Sequence, residues 1–207
     1  MAFEGTGALA SNGQTVAITL ASPATPGSYD IWWVDTVART HKKLTNAGNQ
    51  TWDSLPVLRP DGQQIVFLRL HRTPKGLISV LMSVPSGGGS ETIILGEGEG
   101  VAAACYDPDG QHLAVWTRIG LEIIDERASS RRTVLPWSQI PGFSIHSSSM
   151  SWSKQHGRIA FSLLNQRTGR YEIWWISPEG EDFKRLYEGT DSTISSVSFV
   201  STSEKDQ

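Results

Sequence analysis

The stretch LRPDGQQIVF, residues 58–67, places a tight turn between two apolar runs. Pro60 presets its own φ, Asp61 can bond nearby backbone, and Gly62 supplies the positive φ that closes the turn. Apolar residues on both sides make it a hairpin. The pattern recurs as LASNGQTVAI at 9–18, YDPDGQHLAV at 106–115 and WSKQHGRIAF at 152–161, with a broken copy, FVSTSEKDQ, at 199–207. The copies begin at Leu9, Leu58, Tyr106, Trp152 and Phe199, so the spacings are 49, 48, 46 and 47 residues. Four near-equal spacings identify an internal repeat.

Each unit reads as four short strands. The second runs through SLPVL, QIVFLRL and LISVLMSV, then a glycine-rich turn, then ETIIL. No segment sustains a helical period. Repeated four-stranded units of this length are the blades of a β-propeller, an all-β fold of antiparallel sheets stacked around an axis. The units span approximately 5–50, 51–98, 99–144 and 145–192, with a trailing strand at 194–201, in one domain over 1–207. About four blades plus one strand predict an incomplete ring. The chain then reads as part of a larger propeller; the alternative is a small or open ring that pairs its ends or dimerises through them. Unclosed blade faces would be apolar and would favour self-association.

The near-duplicates YDIWWVD at 29–35 and YEIWWIS at 171–177 are 142 residues apart, three periods, so they fill equivalent places in the first and fourth units. Strand alternation sends Trp32 and Trp33 to opposite faces. Each then has a neighbouring blade to pack against. Trp32, Trp33, Trp152, Trp174, Trp175, Tyr106 and Phe199 are therefore expected in the interblade core.

These units resemble the TolB-like, WD-like propeller repeat, whose pattern is an aromatic-Ser-Pro-Asp-Gly-Lys hairpin, an apolar strand, Asp-Ile-Trp-Val-Met-Asp, a turn and Arg-Leu-Thr. RPDGQQIVF, DPDGQHLAV, YDIWWVD, HKKLTN, YEIWWIS and FKRLYEG carry the resemblance, which covers essentially the whole chain. The first unit has Asn12-Gly13 for Asp-Gly, and the fourth has KQHGR without Pro or Asp. The family's propellers usually close with more blades. The resemblance is specific for fold and silent on function.

Composition narrows the function classes. The net charge is −3, which leaves no basic footprint for nucleic acid. Cys105 is the only cysteine, so an intrachain disulfide and a cysteine metal cluster are both excluded. MAFEGTGALASNGQ has neither a basic start nor an apolar run, and no stretch approaches a membrane span. The sequence as it stands reads as cytoplasmic, with a periplasmic location the alternative if a leader is missing.

Chemical motifs are weak. GEGEG at 96–100 lacks the helix a phosphate loop needs. GFSIH at 142–146 has His146 where a hydrolase elbow needs its second Gly. DPDG at 107–110 lacks the other ligands of a calcium loop. The histidines, at 41, 71, 112, 146 and 156, have no metal-ligand spacing. RTHKK at 39–43 and RASSRR at 127–132 read as solvated outer edges. No catalytic residue, cofactor or metal is expected. The lead-ins to the inner strands, QTWDS, GEGVA, SIHSS and TDSTI, would ring the channel mouth. Trp52, Asp53, His146 and Asp191 are the candidate binding residues there. The expected function is a non-catalytic scaffold holding a protein or peptide partner. The alternative is a gating propeller segment of a larger prolyl-oligopeptidase-like serine hydrolase, a class whose propellers these repeats also resemble.

Overall fold

The computed structural model describes residues 7–9, 13–22, 25–125, 129–145 and 150–189. The described chain is built of strands, with one 3-10 turn at Trp137–Gln139 and no α-helix. Blade one is β1 (Gly7–Leu9), β2 (Thr15–Ala21), β3 (Tyr29–Asp35) and β4 (Thr40–Lys43). Blade two is β5 (Thr51–Leu58), β6 (Gln64–Thr73), β7 (Gly76–Pro85) and β8 (Thr92–Leu95). Blade three is β9 (Ala103–Tyr106), β10 (His112–Trp116), β11 (Gly120–Asp125) and β12 (Ser130–Pro136). Blade four has β13 (Phe143–Ser144), β14 (Met150–Ser153), β15 (Arg158–Asn165), β16 (Arg170–Ile176) and β17 (Lys184–Glu188).

Within each blade the pairing is antiparallel and follows chain order. The first two blades also touch edge to edge through one parallel pair, Tyr29 with Trp52. β13 pairs with β15, on the side where β14 also pairs. Phe143 and Ser144 therefore pair within the fourth sheet.

The repeated turns form for the reason their composition gives. Gly13, Gly62, Gly110 and Gly157 all take positive φ, at 67°, 72°, 67° and 54°. In the second unit Asp61 accepts the Gln63 N–H at 3.0 Å. In the third unit the corresponding work falls to Asp107, which accepts the Gln111 and His112 N–H groups at 2.7 and 3.0 Å.

Three apolar seams join the four blades. Ala17, Ile31 and Leu44 of blade one meet Ile65, Phe67 and Val84 of blade two. Val66, Leu68 and Leu81 meet Tyr106, Leu113 and Val115. Trp116, Leu121 and Ile123 meet Ile159, Phe161 and Leu163. Each fully buried side chain of this size stabilises by about 1.5–3 kcal/mol. Among the described residues no fourth seam joins blade four to blade one, so the blades form an arc.

The tryptophans divide differently from expectation. Trp32 and Trp33 do face opposite ways: Trp33 packs on the first seam, and Trp32 lies against His41 on the other face, ring centroids 5.7 Å apart. Trp152 and Trp174 pack on the third seam, and Trp174 stacks on Phe183 at 4.4 Å. Tyr106 is buried in the second seam. Yet Trp32, Trp33, Trp152, Trp174 and Trp175 are only half-buried. The fully buried tryptophan is Trp116, because it ends a strand with blades on both sides. Trp32 and Trp175 lie on the two faces that no seam covers. The faces are unequal: Leu9 and Leu20 of blade one are exposed, whereas Ala160, Ser162 and Tyr171 on the corresponding face of blade four are buried. Trp175, Ile173 and Leu164 on that same face of blade four are half-buried. Phe199 and the trailing strand lie outside the described residues.

Candidate functional site

The two ends of the arc differ. One carries the repeated hairpin turns. The other carries the lead-ins to the inner strands and the turns between second and third strands. At the hairpin end a cavity of about 670 Å³ lies among the inner strands, lined by Leu58, Arg59, Tyr106, Asp107, Trp152 and Lys154 among others. Its charges are committed. Lys154 pairs with Asp109 at 2.9 Å, Arg59 donates to the Gly110 carbonyl at 3.0 Å, and Asp107 holds His112 at 2.8 Å. Cys105 also lines it, but burial, helped by the Asp107 charge, pushes its thiol far above the usual range.

At the lead-in end a cleft of about 660 Å³ lies between blades one and two, lined by Tyr29, Trp52, Arg72, Pro74 and Leu77, with Gly27, Thr73 and Gly76 completing its wall. Its floor is the parallel pair Tyr29–Trp52. Its wall is an extended hairpin. β6 and β7 have 10 residues each, against 7 and 7 in blade one, 5 and 6 in blade three, and 8 and 7 in blade four. The extra length carries Arg72 and Leu77, which face each other in register, beyond the body of the sheet. Leu77 is 59% exposed. The Arg72 guanidinium lies over the Trp52 indole, 5.7 Å from its centroid.

Of the four residues singled out in the sequence, Trp52 falls in this cleft. Asp53, one position on, does not: it is fully buried and bidentate to Arg69, with Nε and Nη2 each 2.7 Å from a carboxylate oxygen. Strand alternation turns it away from the face that Trp52 presents. Arg69 also binds Glu91. Burial pulls the Asp53 carboxyl up, outweighing the Arg69 contacts that pull it down. Burial also works against the Arg69 charge, but Asp53 and Glu91 together hold that guanidinium protonated. Asp53 is thus held in a structural ion pair with Arg69. His146 and Asp191 lie outside the described residues.

The other buried carboxylates are committed as well. Asp30, Glu122 and Glu172 occupy one repeat position, the second residue of YDI, LEI and YEI. Asp30 accepts the Ala47 N–H at 2.7 Å and pairs with Lys43 at 2.7 Å. Glu122 accepts from Thr117 at 2.6 Å and Arg131 at 2.9 Å. Glu172 accepts from Asn165 at 2.9 Å and the Trp174 indole at 3.0 Å. Among the described residues no group of three His, Cys, Asp or Glu side chains is placed to hold a metal ion. No helix there is long and apolar enough to cross a membrane.

Sequence reading missed Tyr29, Arg72 and Leu77. The available signal was length: the apolar runs around HRTPKG outlast those of the other units, so this hairpin had to project.

Comparison with solved structures fits this architecture. The chain is similar to TolB from Acinetobacter baumannii, with a TM-score of 0.65 and 19% identity over 90% of this chain and 43% of that one. It is similar to an oligogalacturonate lyase in complex with manganese, with a TM-score of 0.64 and 15% identity over 88% of this chain and 52% of the lyase. It is also similar to Porphyromonas gingivalis dipeptidyl peptidase 4, with a TM-score of 0.58 and 11% identity over 89% of this chain and 32% of the peptidase. At these identities the likeness is one of fold, a TolB-like β-propeller, and the chain spans about half or less of each of these proteins. No protein-family model matches the sequence. No curated protein matches it.

Proposed function

We propose that this chain is a non-catalytic propeller module that holds a protein or peptide partner on its lead-in face, docked in the Trp52 cleft. The observation that carries the reading is the cleft itself. One blade departs from the repeat by extending a hairpin, and that hairpin walls a cavity floored by Tyr29 and Trp52. Aromatic side chains with a polar tip supply large contact area at small entropic cost, which suits them to partner binding. The buried carboxylates hold internal bonds, so acid–base chemistry has no evident carrier among them. Likeness to TolB agrees with the reading but is an analogy of fold.

A displayed random-peptide library tests it. Peptides are expected to be enriched on the parent chain and lost on Trp52→Ala. No enrichment, or turnover of a peptide and ester panel by this chain, would overturn the proposal.

A second reading has two supports. A peptidase contains a similar propeller, and this chain has an axial cavity of about 670 Å³ among its inner strands. As a gating segment of a larger serine hydrolase, it would admit peptides to chemistry carried on another domain. Peptidase activity in the product of the full reading frame, absent from this chain alone, is the result that would favour it.

A further inference from the structure

The lining of the Trp52 cleft contains one charged side chain, Arg72, and no carboxylate. The hairpin around it is one-signed: from Leu70 to Ile78 it carries Arg72 and Lys75 and no acidic residue. Elsewhere Arg69, Arg131, Arg158 and Arg185 each sit within 3.0 Å of a carboxylate oxygen. Arg72 is exposed and has no ion-pair partner among the described residues. Its contact is the indole face of Trp52. A stacked guanidinium keeps its planar fork presented, and less freedom is lost when a carboxylate arrives. Beside that fork lie Tyr29, Pro74 and Leu77, which offer apolar surface to a ring or a proline.

We infer that the cleft is selective for an acidic peptide segment bearing an aromatic or proline residue: the ring or proline enters against Tyr29 and Trp52, and a flanking carboxylate takes the Arg72 fork. The inference rests on the cleft being a partner site and adds the chemistry of the partner. Charge complementarity chooses the sign of the ligand, since an acidic segment meets no repelling carboxylate in the lining. Nucleic acid is disfavoured, because two cations on an acidic chain cannot supply a phosphate-tracking surface.

The test uses the whole chain, labelled with nitrogen-15, and two probe peptides. One is acetyl-Glu-Glu-Phe-Pro-Glu-Glu-amide, and the other is its Gln counterpart. The readout is the indole N–H signal of Trp52, assigned with Trp52→Phe. The acidic peptide should move that signal and bind about tenfold tighter than the Gln peptide at low salt. Arg72→Gln, an exposed change that leaves the fold intact, should remove the preference while weak binding of both peptides persists. Salt at about 0.5 M should also shrink it. Equal binding of the two peptides by the parent, or an acidic preference that survives Arg72→Gln, would overturn the inference. If neither probe moves Trp52 while library-selected peptides still bind there, the acidic chemistry fails and the partner site stands. If library selection fails too, both fall together.

Discussion

The indole of Trp116 meets the ring of Phe161 edge-on across the third seam, with centroids 5.1 Å apart and planes at 83°. Both side chains are fully buried, and Trp137 packs on the same indole at 4.8 Å. The Trp116 N–H is buried without a partner. Trp116→Ala should cost about 3–5 kcal/mol, the range for emptying an aromatic core site. Trp116→Phe should cost less, because it removes the orphaned donor along with the volume. Trp175→Ala, at a half-buried site, should cost clearly less than Trp116→Ala. Urea denaturation of the three variants checks the order. A Trp175 loss equal to that of Trp116 would contradict it.

Asp53 and Arg69 form a bidentate pair next to the Trp52 cleft. Asp53→Ala leaves a poorly hydrated guanidinium with Glu91 as its remaining partner, and should cost about 3 kcal/mol. Replacing both members, Asp53→Leu with Arg69→Met, should recover most of that loss. Thermal melts of the single and double variants separate the outcomes. A single variant as stable as the parent would show that the pair contributes nothing.

Gly120 sits at φ +144°, and a Cβ there would lie 2.2 Å from the Leu135 carbonyl oxygen. The tight β11–β12 approach therefore needs glycine. Gly120→Ala should destabilise by well over about 1 kcal/mol, since backbone strain and a backbone clash add. Gly142, at φ +83° with open space around it, should tolerate alanine better despite its own positive φ. Comparable melting temperatures for the two variants would argue against the clash.

Cys105 is buried, and its thiol titrates well above the ordinary value of 9.0. In the native state it should resist an aromatic disulfide reagent at pH 8, then react fully on unfolding. The pH dependence follows by linkage. Above pH 9.0 the unfolded chain loses the thiol proton while the folded chain keeps it. Stability should fall there as pH rises. Cys105→Ala should lack that part of the slope. Rapid native labelling would mean that the third seam, where Cys105 packs, opens readily.

The repeat was legible in the sequence because turn chemistry is local. Pro-Asp-Gly constrains three adjacent residues wherever it occurs, and a period near 47 residues followed from counting. The opposite facing of Trp32 and Trp33 was legible for a similar reason, since strand alternation needs no tertiary contact. Tertiary structure decided what lies on each face. Trp116 is buried and the paired tryptophans are half-buried because depth depends on which blade arrives next, and a repeat pattern treats all blades alike. Trp52 and Asp53 are adjacent in sequence yet separate in role. Arg69, sixteen residues on, captures the carboxylate, and Tyr29, from the preceding blade, completes the cleft. Contacts between strands far apart in the chain leave no local trace, so the sequence could name the fold and one cleft residue, while folding alone assembled the site.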